Sequence, residues 1–291
     1  MWKHATALGK VIGFLGFTLA VGWLLAQGVS VVVQSRLSVE GALVASVLVT
    51  SWGAARFERR SLASIGFAER APLRHLALGL ALGTLIVGGC AGIFACFGWY
   101  EARLGLGVPL VSWLAESIAL CALVAVFEET LFRGYAFQTA ARSFGSASAV
   151  VGTGVLFGAL HLVNPTPGLP DWLKLVGCAC VAFYGMLAAV ARLRTNGLWL
   201  PIGIHFAWNL LEGFVLGFPN SGVPNTDGLF HANVTGPVIL TGGDYGPEGG
   251  LVMLVLAGAA MLFILRLRNG VPRLGEVTRA PSKASEASEL I

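Results

Sequence analysis

Eight apolar runs follow one another along the chain, near residues 11–33, 41–55, 75–98, 110–136, 147–163, 172–191, 197–217 and 249–266. Most reach the ~20 residues that an α-helix needs to cross a hydrocarbon core of ~30 Å. The runs are continuous rather than alternating, so helices are expected and not a barrel. The second run is the shortest; extended back to Leu37 it places Glu40 at its mouth. With 56% hydrophobic and only 12% charged residues, against ~25% charged in ordinary soluble domains, the chain cannot cover a water-facing surface. The expected fold class is all-α, a polytopic helical membrane protein of about eight transmembrane helices. Residues 1–270 are read as a single transmembrane domain with its motif core at 126–212, and 271–291 as a polar, disordered cytoplasmic tail.

Placement of charge sets the expected topology. With all eight spans crossing and the N-terminus inside, fifteen lysines and arginines fall on the cytoplasmic side, and only Arg36, Arg103 and Lys174 fall outside. The positive-inside rule therefore favours both termini in the cytoplasm. The setting expected is a multi-pass protein of the plasma (inner) membrane. The same distribution accounts for the net charge of +4 without nucleic acid, since no basic platform interleaved with aromatics occurs. Residues 1–33 are read as an uncleaved first span, because their apolar region exceeds the 7–15 residues of a signal peptide. The five cysteines all lie within spans and read as packing residues. Residues 57–73 are basic and amphipathic and are expected along the inner membrane surface. The Gly-, Pro- and Asn-rich connection 218–250 is expected outside, as a lid or a mobile connector.

Three polar clusters interrupt the apolar runs. In "VFEETLFRGYAF", Glu129 and Arg133 are four residues apart, share a helix face and can pair. Glu128 lies ~100° round the helix and lacks that partner. A carboxylate there suits a general base; the bland reading is a buried ion pair that fixes helix register. In "GVLFGALHLVN", Phe157 and His161 share a face, and in "LPIGIHFAWNLLEG" so do His205 and Asn209. Each of these alone reads as packing or interhelical hydrogen bonding. At 1.5 Å per residue, Glu128 lies roughly 14 Å above the inner boundary, His161 about 17–20 Å and His205 about 10 Å. These depths allow the three clusters to meet in one recessed pocket, where water activation and oxyanion stabilisation become possible. Glu212 is expected near the external mouth or beside the site, with no role assigned.

Taken together, "EETLFR" at 128–133, "FGAL" followed by His161, and "HFAWN" at 205–209 resemble the EExxxR, FxxxH and HxxxN/D signatures of the CAAX prenyl endopeptidase and bacteriocin-processing (CPBP, or Abi) intramembrane protease family. The resemblance spans about Val126 to Glu212. It implies an endopeptidase that hydrolyses a peptide bond within the membrane, with Glu128 as the base that activates water and His161 holding that water or a metal. His205 and Asn209 would stabilise the oxyanion, and Glu129 and Arg133 would orient Glu128. The family has been described as metalloproteases, and a metal-free glutamate–histidine mechanism has also been argued for it. Glu128, His161 and His205 are the candidate ligands for zinc. With no HExxH pair and an asparagine amide as a poor ligand, the balance falls slightly against a tightly bound metal. The implied partner is a peptide or membrane-protein substrate, lipidated in the best-known members, reached through a site expected to open toward the cytoplasm. The alternative readings are a non-catalytic membrane scaffold or bacteriocin self-immunity factor that keeps the site, and a proton-coupled transporter. The absence of an evident repeated half counts against the transporter.

Overall fold

The computed structural model describes residues 2–105, 109–224 and 228–267. The tail 271–291 lies outside the described residues. Among the described residues, six helices are long and apolar enough to cross a membrane. They are α1 (Trp2–Val32), α2 (Arg36–Phe57), α3 (Pro72–Cys96), α4 (Leu110–Glu129) with its continuation, α6 (Ser146–Leu160) with the 3-10 turn that follows it, and α7 (Asp171–Thr195). The last two runs form shorter elements: α8 (Trp199–Asn209), prolonged by the π-helical segment Leu210–Val215, and α10 (Leu251–Arg266). The chain is thus a polytopic, mostly helical membrane protein. Its outward faces carry exposed apolar side chains such as Phe17, Trp23, Leu85 and Val255, which only lipid can solvate favourably.

Successive helices run in opposite directions. One end of the bundle holds the α1–α2 turn and the connecting residues 97–105, 161–170, 216–224 and 228–250; the other holds residues 58–71, Gly145 and residues 196–198. A short antiparallel pair, β1 (Tyr100–Leu104) and β2 (Phe230–Val234), ties two loops of the first end with Tyr100 opposite Val234 and Leu104 opposite Phe230. These strands were not legible in the sequence. The described part of the connection 218–250 is built rather than plain: it adds a one-turn helix α9 (Val238–Thr241) and two 3-10 turns, and buries Tyr245 completely.

At the other end, the expected amphipathic surface segment is a docked plug. A 3-10 turn (Leu62–Ile65) leads into Gly66, whose φ of +113° is the left-handed region glycine supplies without strain. The Gly66 carbonyl accepts from Leu198 N–H (2.9 Å), and Trp199 Nε1 donates to the Phe67 carbonyl (2.9 Å). Ile65 is buried with Ala125, Leu198 and Ile202. Apolar side chains that a surface helix would give to lipid instead fill the gap beneath α8.

Two helix pairs approach closely through glycines. A Cβ on Gly79 would lie 2.4 Å from the Leu200 carbonyl oxygen, and one on Gly203 would lie 2.5 Å from that of Leu76, so α3 and α8 touch backbone to backbone. A Cβ on Gly158 would lie 2.4 Å from the Cys178 carbonyl oxygen, so α6 and α7 do the same. Small residues allow this approach where lipid offers no hydrophobic drive for helix association. The two close pairs set α6 and α8, and so both histidines, against the end of α4.

Candidate active site

After Glu129 the fourth span leaves α-helical geometry. Thr130–Ala136 form a π-helical segment with a break at Gly134, and α5 (Phe137–Phe144) resumes the helix. Such π-bulges release backbone groups from the regular ladder and recur at functional sites. Here the Arg133 carbonyl accepts from Arg192 Nε (3.1 Å) and the Gly185 carbonyl accepts from Arg133 Nη2 (2.8 Å). Arg192, at the end of α7, is only 2% exposed and also donates to Asn196 Oδ1 (3.1 Å). Counted in the sequence as a cytoplasmic loop charge, it is in fact a buried brace on the bend that carries the motif. Its place in a polar-looking "ARLRTNG" helix end gave no local signal of that role.

Glu129 and Arg133 are 1% and 0% exposed and pair at 3.2 Å. Glu129 Oε1 also accepts from His205 Nδ1 (2.9 Å), while Oε2 has no partner. A fully buried ion pair repays its desolvation only with further hydrogen bonds, and the histidine supplies one. With its Nδ1 donating to Glu129, His205 turns Nε2 toward Glu128, 3.7 Å from Oε2. Glu128 keeps about a quarter of its side chain exposed, at 26%. His161 Nδ1 lies 2.8 Å from the Phe157 carbonyl. A carbonyl only accepts, so that nitrogen carries the proton and Nε2 keeps its lone pair.

Glu128, Glu129, Arg133, Phe157, His161, His205 and Asn209 all line one cavity of about 990 Å³. The sequence-derived residues are therefore brought together, as the depth estimates allowed. Two more carboxylates share the lining. Glu40 sits in the first turns of α2, as expected from extending that run. Glu248 comes from the "GPEGG" turn, where no spacing marked it. Its Oε1 accepts from Ser221 Oγ at 2.5 Å. Burial pushes the Glu248 carboxyl above the ordinary carboxylate range, against the Ser221 hydrogen bond and the charges of His161 and His205. Glu212, expected at the mouth or beside the site, is fully buried and accepts from Trp208 Nε1 (2.8 Å) and Asn220 Nδ2 (3.0 Å).

The candidate zinc ligands Glu128, His161 and His205 share the cavity lining. Among the described residues no three of His, Cys, Asp and Glu are grouped to hold a metal ion. His205 gives Nδ1 to Glu129 and His161 gives Nδ1 to the Phe157 carbonyl, so each ring keeps Nε2 free, the arrangement a histidine ligand would also have.

The cavity has a closed end and an open one. Arg133, Leu187 and Pro201 are buried at its floor, above the plug formed by residues 62–67. Gln34, Arg36, Val223 and Pro224 are exposed at its rim. The rim thus lies at the end that carries the α1–α2 turn and the 218–250 connection, opposite the end where α1 begins and α10 finishes. A cytoplasmic N-terminus and a site opening toward the cytoplasm place the cytoplasm at opposite ends of this bundle, so these two expectations do not hold together.

A search of curated proteins gives no match. Residues 110–211, which contain Glu128, His161, His205 and Asn209, match the family described as "Type II CAAX prenyl endopeptidase Rce1-like", consistent with the CPBP intramembrane proteases that the three motifs resemble.

Proposed function

We propose that the chain is an intramembrane endopeptidase in which Glu128 activates water against a peptide carbonyl. The observation that carries this reading is the approach of Glu128 Oε2 to His205 Nε2 at 3.7 Å, across a cavity that His161 and Asn209 also line. Glu128 takes a proton from water, and the hydroxide attacks the carbonyl carbon. His161, with Nδ1 tied to the Phe157 carbonyl, offers Nε2 to hold that water. The developing oxyanion is met by the Asn209 amide N–H and by His205 as an imidazolium, whose Nδ1–H stays on Glu129. Glu128 then passes its proton to the leaving amine as the C–N bond breaks, so the base is regenerated. Glu129 and Arg133 act through His205, fixing which of its nitrogens faces the reaction.

In this reading the protein lies in a plasma (inner) membrane with both termini in the cytoplasm, and takes a membrane-associated peptide. The test is cleavage of two quenched peptides, one farnesylated at a C-terminal CAAX sequence and one unlipidated, by the detergent-purified protein. Cleavage that Glu128→Ala reduces by ~10²–10⁴ is the expected result. Equal cleavage by wild type and Glu128→Ala would remove Glu128 from the chemistry. An unchanged cellular phenotype in Glu128→Gln would turn the assignment toward a scaffold.

A further inference from the structure

We infer that the cavity receives its substrate from the non-cytoplasmic face of the membrane, so that the substrates are polypeptide segments exposed on that face rather than cytoplasmic tails. The inference rests on the protease reading above and adds to it the side on which the scissile bond is presented.

Two independent features lead there. The first is charge. The end of the bundle where α1 begins and α10 finishes carries nine lysines and arginines among the described side chains besides the buried Arg192, from Lys10 and Arg56 to Arg194 and Arg266. The opposite end carries Arg36, Arg103 and Lys174, together with the acidic Glu101, Asp171, Asp244 and Glu248. Lysine and arginine near span ends are retained on the cytoplasmic side, which assigns the basic end to the cytoplasm.

The second is the shape of the cavity. Its floor faces the basic end and is closed twice over, by the buried Arg133, Leu187 and Pro201 and then by the docked segment 62–67. Ile65 lies against Gly134 of the π-helical bend, so the plug sits directly under the motif. The rim, with exposed Gln34, Arg36, Val223 and Pro224, belongs to the cation-poor end. The cavity walls between rim and Glu128 include Leu120, Val124, Val181 and Phe214. Such walls suit an extended segment with apolar side chains, entering from that face.

The test reads the side of the rim first. In a Cys96→Ser background, which removes the one exposed cysteine among the described residues, Val223→Cys and Gln34→Cys report the rim and Ala147→Cys reports the opposite end. A membrane-impermeant maleimide added to intact cells should label either rim variant at least tenfold more than Ala147→Cys, with the difference lost on permeabilisation. Labelling of Ala147→Cys alone would overturn the inference, and two rim variants guard against one that fails to fold. The second arm compares protein N-termini in cells carrying wild type or Glu128→Gln. Glu128-dependent termini in segments on the non-cytoplasmic face support the inference; such termini confined to cytoplasmic tails overturn it. If no Glu128-dependent terminus appears anywhere, the protease reading fails and the substrate assignment with it, while the labelling still reports which way the cavity opens.

Discussion

The guanidinium carbon of Arg133 lies 4.6 Å from the centroid of the Phe157 ring. The same ring meets His161 at 4.9 Å and stands edge-on to His205 at 6.2 Å. One aromatic side chain therefore touches a member of each polar cluster. This gives the phenylalanine of the FxxxH spacing a physical purpose. Its π-face stabilises a desolvated cation, and its edges hold two imidazoles apart at fixed angles.

Phe157→Leu should remove that face while keeping most of the apolar volume. A desolvated cation–π contact is worth about 2 kcal/mol, and a loss of that order should lower the melting temperature. Turnover should fall further than stability alone accounts for, because both histidines lose a neighbour. Wild-type kcat in a Phe157→Leu variant with a lowered melting temperature would show that the ring only packs.

The Glu129–Arg133 pair separates burial from mechanism. Arg133→Met strands a carboxylate that is 1% exposed, and breaking a buried pair costs about 3–5 kcal/mol. Adding Glu129→Leu should recover most of the melting temperature, since two apolar residues can replace a buried ion pair at little cost. It should not recover turnover, because His205 Nδ1 then has no acceptor to hold its orientation. Thermal unfolding and peptide cleavage on the two variants decide this, and recovery of both together would mean that Glu129 serves stability alone.

Backbone contact between α3 and α8 should be felt at the site. Gly203→Ala would set a Cβ 2.5 Å from the Leu76 carbonyl oxygen and 3.0 Å from Gly79 Cα, with backbone on both sides and nothing flexible to yield. Overpacking of this kind costs about 1–3 kcal/mol. Because His205 is two residues along the same helix, kcat should drop while the protein still folds. An unchanged kcat would show that α8 is free to shift without moving its histidine.

At the basic end, Glu58 receives Lys10 Nζ at 2.7 Å and Arg60 Nη2 at 2.5 Å. Burial alone would push this carboxyl up; the Lys10 hydrogen bond, the Arg60 charge and the Tyr135 hydroxyl hold it below the ordinary carboxylate range. A lowered pKa in the folded state contributes stability above the unfolded value of about 4.3, and that stability is lost as pH falls through the folded value. The melting temperature of the wild type should therefore fall more steeply than that of Glu58→Gln between about pH 6 and pH 3, by an amount equivalent to ~1 kcal/mol or less. Parallel profiles would show that the cluster adds nothing to stability.

Much of this architecture could be read from the chain before any coordinates. Long apolar runs compel helices in a bilayer, since backbone groups there have no other partners, and every run proved to be a helix. Spacing of four residues placed Glu129 with Arg133 and Phe157 with His161, because the α-helix brings such residues onto one face. The shortness of α8 was less legible, because the α-helix gives way to the π-helical segment Leu210–Val215 inside an unbroken apolar run. The β1–β2 pair escaped notice because five-residue strands within Gly-rich loops carry little periodicity of their own.

Local spacing could name the polar residues, but not their partners across helices. Nothing in the spacing aims His205 at a partner; it meets Glu129 and Glu128 because glycines 79, 83 and 203 let α8 settle against α3 at backbone distance. Arg192 and Glu248 joined the site from 59 residues beyond Arg133 and from a loop turn past α9, separations over which no helical period carries information. The same holds for the mouth of the cavity. Charge along the chain tells which end of the bundle is basic, and only the packing of residues 62–67 beneath the floor shows which end is closed.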